Sequence, residues 1–372
     1  MDNIRIILIV ALCFVLFQLW ERWQEYSKPG PSPQAVEGKV QAPVSGAAPQ
    51  DMPDVPEEAQ ASKDGGLPEN VLPSEQRIRV KTDVMEVVID TLGGDIRRVT
   101  LPGYPVDVDQ PNQPLVLMQE DPPFFIAQGG LLSHQKAPTH EAIYTVSKTD
   151  HEMEPGKETL EVVLSWSEDG ISANKIFTFR RGEYLVGVRY EIDNASSQPW
   201  AGHLYQQLQR DQAVRSTGFI QAFTGVALSN PEKRYEKFDS DDLAQEAVAI
   251  DAKGGWAAML QHYFLAALVS DQNAQYHYYA KLVPKNNSYL VGLTGPAVDI
   301  AAGEKSTLSM QLFLGPKMQK RLAQIAPHLE LTADYGPLWF IAKPLFWLLD
   351  KLHFYLGNWG WAIVFITVIV KA

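Results

Sequence analysis

Lys371 ends an otherwise apolar run that begins at Trp359. A charge in hydrocarbon costs about 2.5–3.5 kcal/mol on insertion scales, so such a residue is by default functional and faces water or a partner. The chemistry available to it is attraction of carboxylates. The plainer reading is a lysine that snorkels to lipid headgroups. General acid–base chemistry would need a histidine beside a carboxylate. His134, His140, His203, His262 and His277 are candidates, but no spacing to an acid is distinctive. His262 lies in the run Gln261-His262-Tyr263-Phe264, which reads as strand and makes it a packed or edge residue. Glu152 and Glu154 near His151, and the acidic residues Asp239, Asp241 and Asp242, read as solvated loops. No nucleophile elbow, phosphate loop or His-Glu-x-x-His pair occurs. Cys13 is the only cysteine, which excludes a disulfide within the chain and a cysteine metal cage.

The elements that carry these residues fall into a membrane-like start, a soluble middle and a membrane-like end. Residues 4–20 are apolar except for Arg5, and Trp20 and Trp23 stand where an interfacial aromatic belt would lie. Glu21, Arg22 and Glu25 follow at once, with none of the small residues of a cleavage site. Residues 1–26 therefore read as an uncleaved signal-anchor helix. Residues 27–76 read as a disordered tether, rich in proline and devoid of aromatic side chains, which cannot bury enough apolar surface to order itself.

A net charge of −12 argues against a nucleic-acid partner, since phosphate binding wants a basic surface. From Ile78 the apolar pattern has period two: Ile78, Val80, Thr82 and Val84; Leu160, Val162 and Leu164; Tyr184 through Ile192; Leu308, Met310, Leu312 and Leu314. Alternation of this kind predicts half-buried strands. Turn signals separate them at Gly93-Gly94, Asp169-Gly170, Arg181-Gly182, Asp193-Asn194 and Asn286-Asn287. The fold class expected for residues 77–330 is mainly β, a large antiparallel sandwich closed by one amphipathic helix with Met318, Leu322, Ile325 and Leu329 on its inner stripe.

Residues 331–357 are too apolar for an ordinary surface helix and too interrupted to span a bilayer. Pro344 fits the first turn of a helix and Gly357 its end. Lys343, Pro344, Phe346 and Trp347 mark this stretch as a helix lying in the bilayer interface; a buried core helix is the alternative. Residues 358–372 open a second membrane segment. A spanning helix needs about 20 apolar residues, so the sequence is expected to be the amino-terminal part of a longer membrane protein, whether by nature or by artefact.

Several runs resemble the bacterial YidC-type membrane protein insertases. They are Gly254-Gly255-Trp256 through Phe264, Leu314-Gly315-Pro316-Lys317, Asp334-Tyr335-Gly336, Ile341 through Leu349, and Gly357-Asn358-Trp359-Gly360-Trp361-Ala362-Ile363. The resemblance implies a bacterial inner-membrane protein with a cytoplasmic amino terminus and a periplasmic twisted sandwich similar to sugar-mutarotase domains. It implies insertion and folding of nascent membrane proteins, alone or beside Sec translocon subunits, in contact with the lipid bilayer and without a cofactor or metal. It also implies a cation in the second membrane segment facing a wet groove, the position taken by Lys371. Lysine here departs from the family's usual arginine and is a point charge without a bidentate fork. Two other readings remain: a membrane-tethered periplasmic module that binds peptide or glycan, and, more remotely, a sugar epimerase.

Overall fold

The computed structural model describes residues 74–107, 109–211, 223–283, 288–333 and 339–371. The expected anchor at 1–26, nearly all of the tether, the Asn286-Asn287 turn and the Asp334-Tyr335-Gly336 run lie outside the described residues.

The described strands, in chain order, begin with β1 (Arg77–Lys81), β2 (Glu86–Asp90), β3 (Ile96–Pro105), β4 (Pro114–Met118), β5 (Phe125–Ser133) and β6 (Asp150–Glu152). There follow β7 (Thr159–Glu168), β8 (Ile171–Arg180), β9 (Leu185–Asn194), β10 (Trp200–Asp211), β11 (Gly225–Ser229) and β12 (Glu236–Phe238). After helix α1 (Ser240–Gln245) come β13 (Val248–Lys253), β14 (Trp256–Leu260), β15 (Phe264–Val269), β16 (Gln275–Val283), β17 (Ser288–Thr294), β18 (Val298–Ile300) and β19 (Lys305–Pro316). The chain then forms α2 (Gln319–Ile325), a 3-10 turn (Leu329–Thr332), α3 (Trp339–Leu356) and α4 (Trp359–Lys371).

The strands form two sheets. The larger is 11-stranded, with the path β13-β16-β17-β10-β5-β3-β2-β1-β6 and with β18 and β4 paired to β10 and β3. The smaller is 8-stranded, ordered β12-β11-β14-β15-β19-β9-β8-β7. Pairing is antiparallel throughout except β1 with β6. This is the mainly β sandwich that period-two patterning predicts. Val162 and Leu164 of β7, and Val186, Val188, Tyr190 and Ile192 of β9, turn inward onto Ile78, Val80 and Leu208 of the other sheet. Between them Glu161, Val163 and Ser165 face solvent. In β3 the register places Ile96 opposite Ile89 and Arg98 opposite Val88, so Arg97 is an extra residue that bulges the strand.

Four local expectations are corrected. The helix expected to carry Met318 through Leu329 stops at Ile325, because Pro327 follows and forces Ala326 into an extended conformation, φ −150° and ψ 149°. The stripe survives: Leu322 and Leu329 are both fully buried. Pro344 does not open its helix. It lies inside α3, which already starts at Trp339, and it leaves the carbonyl of residue 340 without an amide donor. His262 is neither packed nor in a strand. It sits with Tyr263 at the exposed tip joining β14 and β15, closed by the Gln261 amide donating to the Phe264 carbonyl at 2.9 Å. The acidic stretch at 239–242 is a helix start: Asp239 caps α1 by accepting from the Asp241 and Asp242 amides.

Candidate functional site

Most of the large apolar side chains left exposed among the described residues stand on α3 and α4. Within α3, Trp347, Lys351 and Phe354 follow at i, i+4 and i+7 and so share one face. That face mixes broad rings with one ammonium group. Phe354 and Tyr355 are 80% and 81% exposed, a cost in water that only a lipid or protein surface would remove. Phe346 is exposed on the same helix, as is Pro344; Lys343 belongs to the α3 backbone, and its side chain lies outside the described residues.

A tight corner joins the two helices. Gly357 takes φ +63°, a left-handed conformation that ends α3, and its amide donates to the His353 carbonyl at 2.8 Å. The side chain of Asn358 then starts α4 by accepting from the Gly360 amide at 2.8 Å and the Trp361 amide at 3.3 Å. The rings of His353 and Trp359 stack across the corner, and Ala362 alone on α4 is buried. α3 is also tied back to α2, through Lys320 Nζ and Asp350 Oδ2 at 3.0 Å. Lys371 is the last residue of α4 and is exposed. Among the described residues no helix is long and apolar enough to cross a membrane.

The histidines do not converge. His140 is buried and its Nδ1 lies 2.6 Å from the Tyr205 hydroxyl. His203 Nδ1 lies 3.0 Å from the Gly295 carbonyl, and His134 is exposed. His277 Nδ1 is 2.8 Å from Asp251 Oδ1, a pair between β16 and the edge strand β13 with its carboxylate mostly in solvent. No group of three or more His, Cys, Asp or Glu among the described residues could hold a metal ion.

One polar cluster has no counterpart in the sequence reading. Lys175 lies wholly inside the sandwich, its Nζ donating to the Gly93 and Gly129 carbonyls at 2.9 Å each and standing 5.5 Å from the ring centres of Phe177 and Tyr190. Burial pulls its pKa down to about 8, opposed by the Asp95 carboxylate. Asp95, also buried, is held above the usual carboxylate range by desolvation, against the pull of Arg97, His140 and Lys175 and a 3.2 Å hydrogen bond from Gln128. The bulged Arg97 pairs with it at 3.2 Å. The signal was present: alternation in β8 puts Lys175 on the inward face with Ala173 and Phe177. With no large opening beside it, this cluster reads as a polar brace between the sheets rather than a reaction centre.

The resembling run at Gly254-Gly255-Trp256 is structural. Gly255 has φ +108°, and a Cβ there would meet the Ser229 carbonyl oxygen at 2.1 Å. Trp256 is fully buried and its indole N–H donates to the Pro327 carbonyl at 3.1 Å, pinning the segment after α2 to β14.

Comparison with known proteins gives a consistent result. Residues 77–348 match the family described as the YidC periplasmic domain. A membrane protein insertase YidC from Thioalkalivibrio sulfidiphilus (strain HL-EbGR7) is 39% identical over 388 residues, spanning 100% of this chain and 69% of that protein. Another from Methylococcus capsulatus (strain ATCC 33009 / NCIMB 11132 / Bath) is 38% identical over 378 residues, spanning 100% of this chain and 68% of that protein. Among solved structures, a galactose mutarotase-like protein from Lactobacillus casei ATCC 334 covers 64% of this chain and 99% of its own, at 11% identity and a TM-score of 0.44. That likeness is too distant to bear on activity.

Proposed function

The chain belongs to the YidC family of membrane protein insertases, and from that premise we propose that it inserts and folds nascent membrane proteins at a bacterial inner membrane, alone or beside the Sec translocon. In this reading residues 1–26 anchor the chain with its amino terminus in the cytoplasm, and 27–76 tether that anchor to the sandwich of 77–330 in the periplasm. Residues 331–357 lie in the interface, and 358–372 enter the bilayer. The observation that carries the reading is the concentration of exposed rings and aliphatic side chains on α3 and α4, the two helices that follow the sandwich.

Each step is physical rather than covalent. The α3 rings Phe346, Trp347 and Phe354 enter the headgroup region and loosen lipid packing. The corner at Gly357 turns the chain into the bilayer. Lys371 then stands about 18 Å along α4 from Trp359. A cation at that depth, in a groove reached by water, gives the acidic flank of a client segment a favourable site, while the client's apolar residues move into lipid by hydrophobic transfer. Neither a cofactor nor a covalent intermediate is needed. The alternative of a free-standing peptide- or glycan-binding module is not favoured by the family match.

Lys371→Ala tests the charge. Placed in the complete protein and expressed in cells depleted of their own insertase, the variant should insert clients with acidic flanks more slowly than the parent and clients with neutral flanks at the parent rate, and Lys371→Arg should restore the former. Equal rates on acidic clients for the parent and Lys371→Ala would remove Lys371 from the mechanism.

A further inference from the structure

Outside α3 and α4, the exposed large apolar side chains among the described residues are Val106, Ile143, Val163, Tyr263 and Leu331. Two of them, Tyr263 and Val106, lie where the chain leaves the sandwich for the helices. Tyr263, 69% exposed, is at the β14–β15 tip, and its carbonyl accepts from the Lys317 amide at 2.8 Å just after β19 ends. Val106 follows β3, whose Tyr104 ring meets Phe264 edge-on at 5.3 Å, so this hairpin shares the same end. Leu331 lies in the 3-10 turn that precedes α3.

This end also carries cations. Lys317, Lys320 and Arg321 follow β19 in quick succession; Lys320 pairs with Asp350 of α3, and Arg321 donates to the Gly182 carbonyl at 2.7 Å and stands 4.0 Å from the Glu183 carboxylate. Asp107 and Asp109 follow Val106, so that hairpin suits the rim of a headgroup contact and the uncharged Tyr263 suits its centre. Tyrosine, with an apolar body and a polar tip, suits the boundary between headgroups and acyl chains.

We propose that this end of the sandwich is a second lipid-contact site, in which Tyr263 enters the headgroup layer beside α3 and stands the domain end-on against the bilayer. The inference rests on the reading of α3 as an interfacial helix and goes beyond it, because it makes the sandwich itself a membrane-docking body. The occupant is the bilayer surface, and the argument for it is continuity: β15, β19, α2 and α3 are linked through Phe264 opposite Pro316, the Lys317–Tyr263 bond and the Lys320–Asp350 pair. Docking of this kind would fix the height of α3 and the approach of a client to α4.

The test uses the full chain with Cys13→Ser, reconstituted in vesicles of phosphatidylethanolamine and phosphatidylglycerol that carry a nitroxide at headgroup depth. A fluorophore is attached in turn through Tyr263→Cys, Trp347→Cys and Ala302→Cys. Ala302 precedes β19, about 40 Å along the strand from Pro316. Loss of emission at 263 and 347, with none at 302, is the expected result. Loss at 347 alone overturns the proposal and leaves the interfacial helix standing. Loss at neither 263 nor 347 overturns both, and equal loss at all three positions overturns end-on docking. Tyr263 is solvent-exposed, so its substitution leaves the core intact.

Discussion

The rings of His353 and Trp359 lie 3.8 Å apart at their centres and within 9° of parallel, across the corner that joins α3 to α4. The stack holds the two apolar helices at a set angle, alongside the left-handed Gly357 and the Asn358 cap. A stacked aromatic pair contributes roughly 0.5–1.5 kcal/mol beyond its buried area. A double-mutant cycle with His353→Ala and Trp359→Ala, read by thermal unfolding in detergent, should return a coupling of that size. Strict additivity would show that the corner is held by backbone geometry alone.

Gly255→Ala should destabilise the sandwich by more than about 2 kcal/mol, since it combines a left-handed backbone with a Cβ against a fixed carbonyl. The neighbouring Gln272 amide and Ser270 hydroxyl both donate to the Gly255 carbonyl, so the segment cannot shift freely. Denaturant midpoints for the variant and the parent measure this directly.

Lys175 makes stability rise with pH in the alkaline range. Its folded pKa, about 8, lies below the ordinary value of 10.5, so between these values the unfolded chain binds more protons than the folded one. The penalty for burying the cation is fully present below pH 8 and is relieved as pH climbs toward 10.5. The shift corresponds to roughly 3 kcal/mol. Lys175→Met should flatten that rise in a pH series of denaturation curves. An unchanged slope would assign the rise to other groups.

Phe354→Ser with Tyr355→Ser should leave the sandwich's melting temperature unchanged, because both side chains stand in solvent and outside the core. The same pair should weaken the hold of α3 on lipid by roughly 1–2 kcal/mol per ring. Quenching by headgroup nitroxide of a fluorophore attached at Trp347→Cys reads the depth of α3, and weaker quenching in the variant is the expected outcome. Equal depth would place these rings off the lipid face.

Much of the sandwich is legible in local pattern. Val186, Val188, Tyr190 and Ile192 alternate with Gly187, Arg189 and Glu191, and the structure buries the first set more deeply than the second. Gly170 and Gly182 sit at turns with φ of 80° and 70°, as their sequence neighbourhood suggests. The apolar excess of α3 and α4 is equally local, since it depends on composition and spacing within a single helix. The errors came where a local rule admits two outcomes. Proline is compatible with the first turn of a helix and, at a cost, with its interior, and only the full length of α3 decides for Pro344. Alternation at Gln261-His262-Tyr263-Phe264 looks like strand, yet those residues close a hairpin, because β14 and β15 must reverse to pair with each other.

The sequence by itself determined the class of the fold, the apolar character of the segments around it and the family, because periodicity, composition and short motifs are properties of neighbouring residues. What only the tertiary structure decided is which distant groups meet. Lys175 finds the carbonyls of Gly93 and Gly129, Trp256 finds Pro327, and Lys320 finds Asp350. These pairings depend on how two sheets are registered and how the helices leave them, and no spacing along the chain encodes that geometry. The meeting of Tyr263 and Val106 at one end of the sandwich is of the same kind: two separate hairpins come to one end only because the strands that carry them end together, with the Tyr104 and Phe264 rings in contact.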